Sequence, residues 1–329
     1  MFYVINNKKI INYIGLILKK KNNLYSDKYI VKHLTTSVIQ HTVKNFQFIK
    51  GFPASNTWIV YSNNDAILVD SGFGDRTSFL SLKNYINNYL PNIKIHYVLL
   101  THHHSDHSSG ARQLSEIFNS KVLIHKQEKK MLKTKTESDD IPVRYRKKRQ
   151  KWEDEKVQTP ISKYIEHGYQ INIGNLNIEA LHTPGHTLGS ICYLFRNERV
   201  LFTGDTILGY DTVSISAPPN GDMNLYLKSL KKLNRYKLKY IAPGHGNVIT
   251  NPKQKINKLI LHRLNREKQI IDLIDQGHKL DSDLLNAIYP NLQKGLKNSA
   301  LNQIRSHLHR LKVLNKIQLK IDQDKWKVI

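Results

Sequence analysis

The sequence predicts an α/β sandwich that carries its function on one rim of a sheet. Two observations predict it. From Phe46 the text becomes short apolar runs bounded by turn residues, FQFIK, TWIVYS, AILVDSG, HYVLLTH and KVLIH, and after a basic interruption INIGNLNIEALH, ICYLF, RVLFTG and YIAPGHG. The later runs are separated by polar segments of helix length. Run after run also stops directly before a small or ligand-type residue, which delivers those side chains to a sheet edge, where loops hold function.

Residues 1–40 read as an N-terminal extension. The first 35 residues carry seven lysines, one acid (Asp27) and no arginine. The segment does not read as a secretory signal, because Asn12 and Tyr13 interrupt the apolar stretch Ile10 to Leu18 and no small-residue cleavage site follows. The segment reads as an organellar presequence or as a plain extension.

The main domain is expected over 41–252. The chain of 329 residues, 40% hydrophobic, has room for this domain and a smaller one. No apolar run is long enough to span a membrane. A formal charge of +25 suits a polyanionic partner, RNA, DNA or an anionic surface, although the Asn-, Lys- and Ile-rich composition also inflates lysine. Cys192, the single cysteine, sits in the apolar run ICYLF and has no partner for an internal disulfide.

A basic insertion interrupts the pattern at about 126–160. Its segment RYRKKRQK (144–151) has six basic residues in eight, and it reads as a solvated insertion, a phosphate-tracking arm at the cleft, or an import signal.

Residues 253–329 differ again. A helix from near Pro252 carries Ile256, Leu259, Ile260, Ile270, Leu273 and Ile274 and stops at Gly277. Asp281 or Ser282 is expected to cap a second helix, and Ser299 a third carrying Leu301, Ile304, Leu308 and Leu311. Strands around Ile317–Ile321 and Trp326–Ile329 follow. Helices and a terminal hairpin make a small winged-helix-like module, suited to nucleic-acid contact or protein docking.

The chemistry is concentrated at the strand ends. LLTHHHSDHSSG (99–110) contains H-x-H-x-D-H: His102 and His104, two apart on a tight loop, can grip one ion, while Asp106 and His107 turn to a neighbouring position. His103 should point elsewhere. TPGHT offers His186, FTGDT places Asp205 after a buried strand, and APGHG supplies His245 between glycines. Asp70, in LVDSG, is expected to orient a histidine and not to bind directly. Imidazole with carboxylate suits zinc, with manganese or iron as competitors.

This set resembles the metallo-beta-lactamase superfamily, which implies an αββα sandwich with a two-metal rim site. By that resemblance His102, His104 and His186 bind one metal, and Asp106, His107 and His245 the other. Asp205 bridges both, Asp205 and Asp106 are the catalytic carboxylates, and two zinc ions, or manganese, are the cofactor. His182, next to the TPGHT turn, is expected to be structural.

Within the superfamily, SNTWIV, VDSG, PGHGNVI, HRLNREKQI (262–270) and the tail ending in DKWK resemble the beta-lactamase-like protein 2 family. That resemblance implies a mitochondrial-matrix endoribonuclease acting on single-stranded RNA. Hydroxide generated at the paired metals would leave 5′-phosphate and 3′-hydroxyl ends. The basic insertion and the N-terminal extension depart from the family pattern, and a cytoplasmic or other organellar address stays open. The nearest rival is a thioester hydrolase of the glyoxalase II type, or another small-molecule metallo-hydrolase, which would share the metal site. Only forty residues separate Asp205 from His245, too few for the long insertion of larger RNA-processing relatives.

Overall fold

The computed structural model describes residues 23–25, 29–43, 54–135, 143–292, 295–320 and 325–329. Its first sheet has eight strands in chain order: β1 (Asn23–Tyr25), β2 (Tyr29–His33), β3 (Val38–Val43), β4 (Asn56–Ser62), β5 (Asp65–Val69), β6 (Lys94–Leu99), β7 (Lys121–His125) and β8 (Lys163–Ile165). The second holds β9 (Gln170–Ile173), β10 (Leu176–His182), β11 (Ile191–Phe195), β12 (Val200–Gly204) and β13 (Tyr240–Pro243), in spatial order 13-12-11-10-9. The helices are α1 (Arg76–Tyr89), α2 (Ser105–Ser108), α3 (Ala111–Phe118), α4 (Lys129–Leu132), α5 (Val143–Val157), α6 (Met223–Leu233), α7 (Pro252–Asp275), α8 (Asp281–Ile288) and α9 (Lys297–Val313). A hairpin, β14 (Ile317–Lys320) with β15 (Lys325–Val328), closes the chain.

Why two sheets stack between helices is visible in the run AILV. Ala66 and Leu68 pack toward the helices, with Leu82, Ile86 and Leu114. Ile67 and Val69 pack toward the second sheet, with Ile178, Tyr193 and Phe202. Both faces of the strand are therefore apolar and covered. The second sheet repeats this: Leu194 and Leu201 face Tyr226, Leu230 and Leu259 of the helices beyond. Each of the buried Val, Leu, Ile and Phe side chains contributes roughly 1.5–3 kcal/mol by leaving water. The result is the expected αββα layering. Strands β5 to β8 run parallel, so each must return through a crossover, and the first crossover, α1, starts at Asp75, whose carboxylate accepts from Thr77 N and Ser78 N.

Several expectations are corrected. The sheet begins before residue 41, because β2 pairs antiparallel with β3 and β3 with β4. FQFIK, most of the N-terminal extension and residues 136–142 of the insertion lie outside the described residues. The basic stretch is a helix, α5: Trp152 packs on Phe73 with ring centroids 4.2 Å apart, and Glu155 pairs with Arg112 at 2.7 Å. Arg146, Lys147, Gln150 and Lys151 stay exposed, as a solvated face would.

The C-terminal unit follows the expected order of three helices and a hairpin around its own core of Ile270, Ile274, Leu284, Ile304 and Leu308. Its caps differ. The second helix begins after Leu280, whose N–H donates to Asp283 at 3.1 Å, and Asp281 instead binds Arg305 and the Trp326 indole. Ser299 lies within the first turn of α9, where its hydroxyl donates to Ser214 Oγ. Among the described residues no helix is long and apolar enough to cross a membrane.

Candidate metal centre

The motif residues meet where strand ends from both sheets converge. After β6 the chain turns through Leu100 to His104 into the one-turn helix α2, which carries Asp106 and His107. Strand β12 ends at Gly204 and presents Asp205; β13 ends at Pro243 and presents His245; the loop after β10 presents His186. All seven predicted ligands come together, in two groups.

In the first group His104 Nδ1 lies 2.9 Å from His102 Nε2 and 3.0 Å from His186 Nε2, and Asp205 Oδ2 lies 3.6 Å from His186 Nε2. In the second, His107 Nε2 and His245 Nε2 are 3.2 Å apart, with Asp106 Oδ2 at 3.1 Å from His245 and 3.5 Å from His107. Asp205 spans them: its Oδ1 lies 3.4 Å from His107 Nε2 and 3.5 Å from His245 Nε2. Within each group the candidate ligand atoms all lie within 4.8 Å of one another.

Partners on the far side of the rings decide which nitrogens face inward. Thr101 Oγ1 donates to Asp70 Oδ2, so it must accept from His102 Nδ1–H at 3.0 Å. His186 Nδ1 sits 3.0 Å from the Ser214 carbonyl, which can only accept. His107 Nδ1 sits 2.9 Å from Asp70 Oδ2. Each of these rings therefore turns an Nε2 lone pair toward the others. Lone pairs about 3 Å apart with carboxylates among them form a donor set for cations. Asp205 Oδ1, buried and without a hydrogen-bond partner among the described residues, fits the same reading.

The electrostatics agree. Burial pushes His102 and His104 well below the ordinary histidine range, and neighbouring imidazoles add to it. Burial acts the same way on His107, but Asp106, Asp205 and Asp70 outweigh it and hold the ring well above that range. The carboxylates thus call for positive charge at the second group, which a proton or a metal ion supplies. Burial opposes ionisation of Asp205, yet His245 and His107 hold its carboxyl well below the usual carboxylate range.

Glycine is required where these strands end. A Cβ on Gly244 would lie 2.7 Å from His107 Cε1 and 2.8 Å from Asp205 Oδ1. One on Gly204, whose φ is +46°, would lie 2.3 Å from Thr101 Oγ1.

His103 points away, as expected, onto the buried carboxylate of Glu128. His182 stacks on His125 at 4.0 Å and reaches Leu188 O, a structural role. Four contributors escaped sequence reasoning: Thr101, Glu128, Ser214 and the network of Asn56. Glu128 accepts from His103 N, Thr187 Oγ1 and Gly189 N, tying the two histidine loops together. Asn56 Nδ2 donates to Pro243 O and Gly246 O, and Trp58 Nε1 donates to Pro243 O, so SNTWIV clamps the turn that carries His245.

This geometry has counterparts among known proteins. Residues 51–245 match the Metallo-beta-lactamase superfamily, and the chain belongs to that superfamily. A beta-lactamase domain protein from Burkholderia ambifaria shares the fold with a TM-score of 0.75 at 17% identity, over 91% of this chain and 93% of that one. Inside the superfamily the chain falls with the beta-lactamase-like protein 2 family: it is 30% identical over 300 residues to the beta-lactamase-like protein 2 homolog of Drosophila melanogaster, covering 89% of this chain and 94% of that protein. It is also 28% identical over 217 residues to an atrochrysone carboxyl ACP thioesterase of Aspergillus fumigatus, covering 66% of this chain and 58% of that protein.

Proposed function

We propose that the chain is a metal-dependent endoribonuclease that hydrolyses phosphodiester bonds of single-stranded RNA. The observation that carries the reading is the pair of donor groups shared through Asp205, in a chain of net charge +25. His102, His104 and His186 would hold one ion, Asp106, His107 and His245 the other, and Asp205 one oxygen toward each. We take the ions to be zinc, with manganese the alternative. Two such cations supply Lewis acidity and a water acidified to near neutrality.

The chain's own residues do the positioning. Asp70 fixes the tautomer of His107 directly and that of His102 through Thr101, and Ser214 fixes His186. Asp106 and Asp205 stay ionised and draw positive charge to the second group, from protons on His107 and His245 or from cations. Water as nucleophile leaves the ribose 2′-OH unused, so the products carry 5′-phosphate and 3′-hydroxyl ends. We assign the C-terminal unit a winged-helix-like role in gripping RNA, and we place the protein in the mitochondrial matrix.

A thioester hydrolase is the second reading, favoured by the likeness to a thioesterase. Purified full-length protein supplied with zinc or manganese, assayed on labelled single-stranded RNA and on S-lactoylglutathione with end-group analysis, separates the two. RNA cleavage with 5′-phosphate ends supports the first reading; turnover of the thioester alone overturns it.

A further inference from the structure

Where helix α7 passes residues 212–214, a cleft of about 200 Å³ opens between them, helix α9 and Tyr289 and Leu292 just after α8. Arg263 and Arg266 line it, with His262, His307, Tyr289 and Ser214. Among the described residues that line it, none is acidic. Glu267 lies on the same helix, but its carboxylate is occupied by Arg310 and by His307.

Arg263 already lies 5.5 Å over the Tyr226 ring, but each guanidinium keeps one buried N–H without an acceptor among the described residues. Arg263 is 2% exposed; its Nη2 donates to Val213 O at 2.5 Å, yet its Nε has no hydrogen-bond partner among the described residues. Arg266 lies 4.8 Å over the Tyr289 ring, and its buried Nη1 likewise has no partner among the described residues. Two like charges three residues apart on one helix face repel, and buried N–H groups without acceptors cost stability. An anion with several oxygens, taken by both forks, removes both costs.

The cleft adjoins the metal centre through one residue. Ser214 lines it and offers its carbonyl to His186 Nδ1. We propose that this cleft is a phosphodiester-binding subsite, in which Arg263 and Arg266 hold the backbone of single-stranded RNA away from the bond being cut. The proposal rests on the ribonuclease reading above and names how that substrate is held. Phosphate contacts of this kind set the register of a strand and carry the salt dependence of binding.

The test uses the full-length protein and a fluorescent, phosphorothioate-protected oligoribonucleotide that cannot be cut, with binding read by anisotropy at several salt concentrations. Arg266→Gln should weaken binding about tenfold and lower the salt slope by about one phosphate contact. Lys268→Gln, which removes an exposed charge from the same helix outside the cleft, should weaken binding far less. Because Arg263 is buried, Arg263→Lys is judged only if its thermal midpoint matches wild type; it then gives a loss comparable to Arg266→Gln. Equal affinity of Arg266→Gln and wild type, or equal losses for Arg266→Gln and Lys268→Gln, overturns the cleft assignment. If wild-type protein binds this RNA through Arg266 but leaves unmodified RNA uncut, the nuclease reading fails and the subsite stands. If wild-type protein does not bind RNA, both fail.

Discussion

His107 Nδ1 lies 2.9 Å from Asp70 Oδ2, both side chains buried, and this bond decides which nitrogen His107 turns to the site. Asp70→Asn keeps the size but gives up the charge and lets the amide present N–H in place of oxygen. We expect metal affinity at the second group to fall roughly 10- to 100-fold, as when an outer hydrogen-bond partner of a ligand is lost. Competition with a calibrated chelator measures it; unchanged affinity for both ions would contradict the role.

Asp205 faces both groups, so Asp205→Asn should lower the occupancy of both ions, not one. Activity should fall by more than the roughly 100-fold of an outer-partner loss. Metal content per chain checks this, and retention of one ion at full occupancy would confine Asp205 to a single group.

Gly244→Ala places a methyl against His107 and Asp205. The core clusters lie elsewhere, so far-ultraviolet circular dichroism should stay native while metal binding is lost. Wild-type metal content in this variant would show that the turn has more room than its contacts suggest.

His41 predicts an acid limit to stability. Its ring is buried, with Nε2 at 2.9 Å from Ser81 Oγ, and burial pushes its pKa down to about 4, against a smaller raising effect from Ser81. In the unfolded chain an ordinary histidine titrates near 6.5, so between about 4 and about 6.5 the unfolded chain holds the extra proton. Stability is therefore full above that window and declines as pH falls through it, by about 3 kcal/mol at its lower edge. Thermal unfolding in chelator at about pH 7.5 and about pH 5 should show a drop that His41→Gln reduces. An equal drop in both proteins would acquit His41.

How much of this was readable in the chain follows from where each interaction lies. The candidate ligands were legible because each sits in a short contiguous motif at a strand end, and the strands behind them are plain apolar runs. The strand Val38–Val43 was hidden by its own buried polar residues. In VIQHTV, Gln40 and His41 look solvated, yet Gln40 Nε2 donates to Asn56 Oδ1 at 2.9 Å and His41 meets Ser81, so both are buried. Glu128 was hidden similarly: KQEKK reads as a charged surface, but the residue is 1% exposed and its carboxylate is satisfied by donors up to 61 residues away. Asp281 has the chemistry of a cap, but Arg305 and Trp326, brought in by the tertiary fold, take its carboxylate instead. Periodicity and spacing carry no information about such partners.

The central claim is that two groups of side chains sharing Asp205 hold two cations that the chemistry requires. The most direct measurement is elemental analysis of extensively dialysed full-length protein, paired with turnover before and after a strong chelator. About two divalent ions per chain are expected, with loss of turnover on chelation and recovery on adding zinc or manganese back. Protein without stoichiometric metal whose turnover ignores the chelator would contradict it.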